Sequence, residues 1–336
     1  MRTLAAFDSF KGTIPAARAC RLALEAFGGD LDPCPLSDGG EGLIEAVGAR
    51  RSTIRTRDPL GRLQVSVVGF TGSIGLIEVA EIVGLPAAQA RGELDPVRAT
   101  TAGLATAVEF MAASGAASLA IGCGGSATTD GGLGAVVQLL RRGYRRLPLP
   151  TTVLFDVRTE FAGAAAEFGP QKGAGPSDVL LLFLRLEAVS RWYRRRFGVD
   201  VAGLPGSGAA GGLAGGLAAM GAELLPGLDW VAGAVELERR AAQVDRVISG
   251  EGRLDAGSFS GKVVGEVVKL AERLHKPCVV VAGSADPEGR ALAERHGAQV
   301  VSLELEHGRE RCMADPEGTL AASLRRIAWR AGQGRS

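Results

Sequence analysis

Hydrophobic positions along this chain alternate between short apolar runs and longer amphipathic stretches. The run from Thr3 to Phe7 is typical of a short buried strand, and Ile14 to Phe27 has the spacing of an amphipathic helix. A loop that contains Pro33 and Pro35 then leads to a second helix, which begins at about Leu43. The pattern therefore predicts repeated strand–turn–helix units at the start of the chain.

The pattern changes between Ser52 and Glu81, where short apolar runs are separated by tight turns. The three predicted strands are Thr53 to Arg57, Gln64 to Thr71 and Gly75 to Val79. Such a meander is antiparallel. Later segments predict two buried strands, Ser118 to Ile121 and Val153 to Phe155, and a loop followed by a tight helix within Pro205 to Gly221. A second, mixed region is therefore expected here.

The strand–helix alternation resumes after Leu237. The predicted elements are strand Arg246 to Ser249, helix Val263 to Leu274, strand Cys278 to Ala282, helix Glu288 to His296 and strand Gln299 to Leu303. We therefore predict an α/β fold of two domains. Residues 1–55 plus 240–336 would form a discontinuous Rossmann-like domain with a parallel sheet, and residues 56–239 an inserted mixed α/β domain.

The net charge and the positions of the cysteines argue against several classes of protein. The chain has 38 basic and 37 acidic residues, a net charge of +1, so no global field attracts nucleic acid. The five cysteines are scattered and form no C-x-x-C pair, which favours a reducing cytoplasm over a zinc site or a disulfide framework. The N-terminus has only a short apolar run, so we expect no signal peptide.

Two long uncharged stretches, Phe110 to Thr129 and Val201 to Ala222, are long enough to cross a bilayer. They consist largely of Gly, Ala, Ser and Thr rather than Leu and Ile, so we predict close packing and turns instead of membrane spans.

Glycine beside an acidic or hydroxyl residue recurs where predicted strands end. The four segments are residues 8–12 (Asp-Ser-Phe-Lys-Gly), 37–42 (Ser-Asp-Gly-Gly-Glu-Gly), 124–132 (Gly-Gly-Ser-Ala-Thr-Thr-Asp-Gly-Gly) and 249–255 (Ser-Gly-Glu-Gly-Arg-Leu-Asp). Glycine lets backbone N–H groups approach an anion, and nearby carboxylates tolerate phosphate only with a divalent cation between them. A single such loop is usually only a turn. Four of them at the ligand-binding edge of an α/β fold predict a site for a magnesium nucleotide.

Two familiar nucleotide signatures are rejected. Gly206 to Gly211 matches G-x-G-x-x-G but follows Leu204-Pro205 rather than a strand, so it gives little support to a dinucleotide-dependent dehydrogenase. Gly257 to Val263 imitates a P-loop but has one residue too few between its glycines, and Val263 stands where Ser or Thr is needed.

Six sequence blocks in a fixed order resemble the bacterial glycerate kinase family. They are the segments 8–12, 37–42, 124–128 and 250–255 together with 169–174 (Gly-Pro-Gln-Lys-Gly-Ala) and 206–212 (Gly-Ser-Gly-Ala-Ala-Gly-Gly). The resemblance covers about residues 1–285. It implies a kinase that transfers phosphate from ATP, with Mg²⁺, to D-glycerate, more often at the 2-hydroxyl than at the 3-hydroxyl. It also implies an active site in the cleft between two domains.

The resemblance, combined with the needs of phosphoryl transfer, gives a set of candidate residues. The catalytic candidates are Asp8, Lys11, Asp38, Asp130 and Arg253, with Asp38 and Asp130 also as metal ligands. The substrate-binding candidates are Ser9, Lys11, Gly39, Gly40, Gln171, Lys172, Arg253 and Asp255. The nucleotide-binding candidates are Gly124, Gly125, Ser126, Ala127, Thr128, Gly208, Gly211, Gly212 and Glu251. Which Asp is the base stays open.

Several alternatives stay open at this point. The basic residues could instead form structural salt bridges, and the glycines could serve helix packing. Residues 156–161, Asp-Val-Arg-Thr-Glu-Phe, depart from the family pattern of Asp-Val followed by Asn-Pro-Leu, as do Thr129 and Ala102. These departures leave room for a related hydroxy acid as acceptor, or for a non-catalytic sensor of glycerate or nucleotide. A homodimer is also left open.

Overall fold

The computed structural model describes residues 1–10 and 12–333, with side chains up to residue 329 in the last helix. The strands of this part of the chain are β1 Thr3–Phe7, β2 Leu31–Pro33, β3 Arg50–Arg57, β4 Leu63–Thr71, β5 Ile74–Glu78, β6 Ser118–Gly122, β7 Thr151–Phe155, β8 Glu223–Pro226, β9 Arg246–Leu254, β10 Cys278–Ala285 and β11 Ala298–Ser302.

The α-helices of the same residues fall before, between and after these strands. They are α1 Ala16–Phe27, α2 Leu43–Ala46, α3 Val79–Val83, α4 Leu85–Ala90, α5 Leu104–Ala113, α6 Leu133–Arg141, α7 Ala164–Phe168, α8 Pro176–Phe197, α9 Leu213–Ala219, α10 Gly227–Ala234, α11 Leu237–Ala242, α12 Val263–Arg273, α13 Pro287–Arg295, α14 Leu303–His307, α15 Arg309–Ala314 and α16 Pro316–Gln333.

Contacts divide the chain into two compact units. The first unit contains the described residues of Met1–Asp38, Glu45–Val47 and Leu228–Ser336, and the second contains Gly39–Ile44 and Gly48–Gly227. The first unit is therefore assembled from the two ends of the chain. The division into a domain of residues 1–55 plus 240–336 and an inserted domain of residues 56–239 stays a prediction.

The first unit is built on a five-stranded sheet in the order β11-β10-β9-β1-β2, and all of its strand pairs are parallel. Every residue of β1 is buried, as expected for a central strand covered on both faces. Phe7, Ile248, Val281 and Leu320 lie in its hydrophobic core. The predicted parallel sheet is confirmed.

The order of these five strands fixes where a ligand is expected. In chain order the strands lie 2-1-3-4-5 across the sheet, because the chain adds β2 on one side of β1 and then β9, β10 and β11 on the other. The strand order therefore reverses between β1 and β9. In doubly wound α/β sheets, ligands bind outside the carboxyl ends of the strands at such a switch point.

The second unit is built on a mixed six-stranded sheet in the order β3-β4-β5-β6-β7-β8. Strands β3, β4 and β5 pair antiparallel, which confirms the predicted meander, while β5 to β8 pair in parallel. Its core includes Ile77, Ile121, Leu213 and the fully buried Tyr193. The prediction of a mixed α/β region is confirmed as well.

Candidate functional site

A cavity of about 640 Å³ opens in the first unit at the switch point of the sheet. Six residues predicted from the sequence line it: Asp8, Ser9, Asp38, Glu251, Arg253 and Asp255. They come from three separate parts of the chain, and the parallel sheet brings the ends of β1 and β9 to one edge. The predicted Lys11 lies outside the described residues.

Backbone hydrogen bonds hold the two central strands together where the cavity begins. The Asp8 N–H donates to the carbonyl of Gly250 at 3.0 Å, which extends the β1–β9 ladder by one residue. The Ser9 N–H donates to Asp8 Oδ1 at 2.6 Å. Leu36 N–H donates to Phe7 O at 2.9 Å and thereby directs the following residues, up to Asp38, toward the same edge. The carboxylates of Asp8 and Asp38 therefore stand on a rigid frame.

Arg253 lies near two carboxylates but is weakly held by them. Its Nε is 3.6 Å from Asp255 Oδ2, its Nη2 is 4.0 Å from Asp286 Oδ2, and its side chain is 70% exposed. Exposed ion pairs of this length contribute little to stability. Asp255 is better fixed, since its Oδ1 accepts the N–H of Ser258 at 3.2 Å and its own N–H donates to Ser258 Oγ at 3.1 Å. The guanidinium of Arg253 is available to an anion in the cavity.

Sequence reasoning missed several polar residues that line the same cavity, among them Lys262, Ser284 and Arg309. Lys262 was set aside with the rejected P-loop, although it directly precedes α12. Ser284 lies in β10 and Arg309 begins α15. A signal for Ser284 existed in its position near the end of a predicted strand at the ligand-binding edge, whereas Arg309 stands in no motif.

The other predicted residues form a second group, within the second unit. Gly131 N–H donates to Gly211 O at 3.0 Å, Gly208 N–H donates to Thr159 O at 3.0 Å, and Gly212 N–H donates to Gly208 O at 2.9 Å. The predicted loops 124–132 and 206–212 thus lie directly against each other. Ser126 and Thr128 are buried and joined by a hydroxyl contact of 2.8 Å, and the Ala127 N–H donates to Val83 O at 2.8 Å.

Close backbone packing explains why glycine is needed in these loops. A Cβ at Gly211 would lie 2.0 Å from Thr128 O, and a Cβ at Gly124 would lie 2.7 Å from Gly40 Cα. The space that a side chain would need is filled by protein backbone. These contacts favour a packing role for the glycines, and their predicted role in nucleotide binding stays a prediction.

Substituting Gly211 is expected to destabilise the protein. Gly211→Ala combines a positive φ of 68° with the clash against Thr128 O. Gly198→Ala is the matched control, because Gly198 has a φ of 73° but open space around its Cβ position. We expect a loss of about 1 kcal/mol for the control and about 2–3 kcal/mol more for Gly211→Ala, measured by urea unfolding. Equal losses in both variants would contradict the packing role.

Asp130 is buried and accepts hydrogen bonds from both sides of its loop. Its oxygens accept hydrogen bonds from Thr100 Oγ1 at 3.1 Å, from Thr101 N at 2.9 Å and from Thr101 Oγ1 at 3.0 Å. They also accept hydrogen bonds from the backbone N–H groups of Gly132 at 3.0 Å and Gly134 at 3.1 Å. A carboxylate offers about four lone-pair sites, so these donors occupy the positions that a metal ion would need. The contacts favour a structural role, and the predicted catalytic and metal-binding role stays a prediction.

Lys172 is enclosed by the protein, with only 2% of its surface exposed. Its Nζ donates to Thr128 O at 2.6 Å and lies 3.4 Å from Thr129 Oγ1. Burial lowers the pKa of the amine from 10.5 to about 7, against the opposing charge of Asp130. Its neighbour Gln171 is exposed, and its carbonyl lies 3.5 Å from Gln89 Nε2. A substrate contact by either residue stays a prediction.

The buried amine is expected to make folding stability depend on pH. Because its pKa in the folded state is lower than in the unfolded chain, the unfolded chain binds more protons between about pH 7 and 10.5. Stability therefore rises with pH through this window. From pH 7 to 9, wild type should gain about 2 kcal/mol relative to Lys172→Met, measured by urea unfolding. A pH-independent difference between the two proteins would contradict this assignment.

A glutamate that sequence reasoning missed anchors the chain segment after Asp38. The carboxylate of Glu78, at the end of β5, accepts the N–H of Gly42 at 3.0 Å and the N–H of Ile44 at 2.8 Å. Burial raises the pKa of Glu78, while those two backbone donors oppose the shift. Glu78 thereby fixes the loop that carries the predicted residues Gly39 and Gly40. Glu78 stands in no motif, so only the structure reveals this role.

Within residues 1–10 and 12–333, no group of three or more His, Cys, Asp or Glu side chains is arranged to hold a metal ion. Likewise, among the described residues, none of the helices has the length and apolar character to cross a membrane.

Comparisons with known proteins agree in pointing to one family. The model of the glycerate kinase family matches residues 3–147 and 145–331 of this chain. The glycerate 2-kinase of Escherichia coli K12 is 33% identical, with 90% of each chain covered. The glycerate kinase of Halalkalibacterium halodurans is 30% identical over 86% of this chain and 87% of its own.

A solved structure supports the same assignment at the level of the fold. It is the crystal structure of a protein provisionally named glycerate kinase 2, from Salmonella typhimurium LT2. The two chains are 30% identical, superpose with a TM-score of 0.81, and are covered to 100% and 99% respectively. With a family model that matches nearly its whole length, this chain belongs to the glycerate kinase family of enzymes.

Proposed function

We propose that this protein transfers the γ-phosphoryl group of ATP to the 2-hydroxyl of D-glycerate, with Mg²⁺, in the cavity of the first unit. The observation that carries this proposal is the convergence of Asp8, Ser9, Asp38, Glu251, Arg253 and Asp255 on one cavity at the switch point of the sheet. Family membership supports glycerate as the acceptor.

The charges of the cavity fit a magnesium-bound phosphate. The described residues that line it include five acidic side chains and three basic ones. The acids are Asp8, Asp38, Glu251, Asp255 and Glu304, and the bases are Arg253, Lys262 and Arg309. The excess of carboxylates over basic groups would repel a phosphate unless a divalent cation lay between the phosphate and the carboxylates. Mg²⁺ is commonly held by one or two carboxylates together with water and substrate phosphates, so a dedicated cage of three protein ligands is not required.

Three residues of the cavity have side chains that suit different roles in the reaction. Arg253 is suited to bind the carboxylate of D-glycerate through its planar fork. Asp8 would accept the proton of the 2-hydroxyl as that oxygen attacks the γ-phosphorus and the bond to the bridging oxygen of ADP breaks. Asp38 would hold Mg²⁺, which when bound neutralises charge on the transferring phosphoryl group. Lys11 stays a predicted contact of the anionic groups.

The identity of the product tests this proposal. After incubation with ATP, Mg²⁺ and D-glycerate, the proton-coupled phosphorus NMR signal of the product should be a doublet, because phosphate on C2 couples to one proton. A triplet would indicate transfer to C3 and overturn the assignment of the 2-hydroxyl. Chelation of Mg²⁺ with EDTA should abolish the signal, and product formation that persists in EDTA would contradict the metal requirement.

The cytoplasmic location and the homodimer stay predictions.

A further inference from the structure

The cavity of the first unit extends well beyond its acidic end. Its lining follows the carboxyl edge of the sheet from Asp8 and Glu251, after β1 and in β9, through Ser284 in β10 to Leu303 after β11. These four strands are neighbours in the sheet. Three strand spacings correspond to roughly 14 Å. A three-carbon acid such as glycerate is far shorter than this cavity.

One wall of the cavity is apolar. Phe10, Ile14 and Leu303 line it and belong to a single hydrophobic cluster, against which Cys312 also packs. Met313 lines the cavity next to Cys312, and 69% of its surface is exposed. Glycerate carries a carboxylate and two hydroxyl groups and has almost no apolar surface to place against such a wall. The wall fits a ligand with a flat apolar face.

A cation borders the same wall. Arg309 lines the cavity, its side chain is 84% exposed, and its Nε lies 3.7 Å from Glu304 Oε1. This long, exposed ion pair does not hold the guanidinium in place. A guanidinium can stack on an aromatic ring as well as pair with phosphate. An apolar wall with an adjacent stacking group is typical of a site for an aromatic base.

We propose that this cavity holds the nucleotide, with its purine base against the part of the apolar wall formed by Leu303, Cys312 and Met313 and its phosphates toward Asp8 and Arg253. This inference rests on the proposed function for the use of ATP. It assigns the base to the first unit, whereas the sequence suggested the glycine loops 124–128 and 206–212. Close backbone packing in those loops leaves the apolar wall as the better-fitting surface for a ring.

Photolabelling with 8-azido-ATP tests where the base lies, and it requires no turnover. The expected result is a covalent adduct within residues 303–316 that ATP suppresses and D-glycerate alone does not. An adduct within residues 124–132 or 206–212, or anywhere outside the lining of the cavity, would overturn the proposal. If labelling falls in 303–316 but no ADP forms with glycerate, the proposed function fails while this inference stands.

A pair of charge-inserting variants tests the same wall by kinetics. Met313→Glu places a carboxylate on the wall, and Leu305→Glu is the matched control, because Leu305 is 76% exposed and does not line the cavity. Met313→Glu should raise the KM for ATP about tenfold and leave the KM for D-glycerate within twofold, whereas the control should change neither. An unchanged KM for ATP in Met313→Glu, or an equal rise in both variants, would refute the proposal.

Discussion

Asp8→Asn is expected to lower kcat/KM for phosphorylation of D-glycerate by about a hundredfold or more. The amide keeps the size of the side chain but cannot accept the proton of the attacking hydroxyl, and a positioned base typically contributes factors of 10²–10⁴. Asp8 stands directly after β1, where its N–H donates to Gly250 O at 3.0 Å. The measurement is the initial rate of ADP formation at several concentrations of D-glycerate.

A matched control separates this effect from a general change of charge. Asp30→Asn removes a carboxylate from the same unit that is exposed and pairs with the N-terminal amine at 3.3 Å. This variant should keep kcat/KM within about twofold of wild type. Both variants should unfold at urea concentrations close to that of wild type. Near-normal activity in Asp8→Asn would remove Asp8 from the proposed mechanism.

Asp130→Ala is expected to lower the free energy of unfolding by about 3–5 kcal/mol. The substitution leaves the buried hydrogen-bond donors of Thr101 and Gly132, and the partly buried N–H of Gly134, without their carboxylate. Buried donors that lose their acceptor carry the full cost of desolvation. Urea unfolding followed by circular dichroism measures the loss.

The comparison for this variant is Asp178→Ala. Asp178 Oδ2 accepts one N–H, that of Gly175, at 3.0 Å where α8 begins, so its loss should cost only about 1 kcal/mol. If Asp130→Ala were as stable as Asp178→Ala but inactive, a direct catalytic or metal-binding role would be favoured instead. The two outcomes therefore distinguish the predicted role of Asp130 from the role that its contacts favour.

Hydrophobic periodicity was sufficient to predict most of the strands, because most strands are buried runs bounded by turns. Two short edge strands, β2 and β8, were missed. Leu31-Asp32-Pro33 and Glu223-Leu224-Leu225-Pro226 each end in a proline, which is tolerated at a sheet edge but weakens the strand signal. Such strands are defined by their neighbours rather than by their own composition.

The long helix α8 was recognised only at its end. A run of basic residues such as Arg194 to Arg196 is typical of a helix terminus, because cations complement the helix dipole there, and these three residues form the last turn of α8. Its N-terminal half has Leu180, Leu181, Phe183 and Leu184 exposed to solvent. Apolar residues on the outer face blur the periodicity by which an amphipathic helix is identified.

Some residues of the candidate site could be predicted from the sequence, whereas the contacts of others could not. Asp8, Glu251 and Arg253 could be predicted because motif residues at the carboxyl ends of parallel strands meet at one edge of the sheet. The contacts of Asp130 and Lys172 could not, since a carboxylate or an amine in a glycine-rich loop has the same sequence signature whether it faces a ligand or the protein. The contacts of Asp130 and Lys172 are therefore known only from the structure.

Whether this protein phosphorylates D-glycerate is measured directly by the initial rate of ADP formation from ATP and Mg²⁺ with D-glycerate, compared with the same mixture containing L-glycerate or no acceptor. We expect rapid ADP formation with D-glycerate and only background rates in the two controls. Equal rates with and without D-glycerate, or no ADP formation under any of the three conditions, would contradict the proposed function.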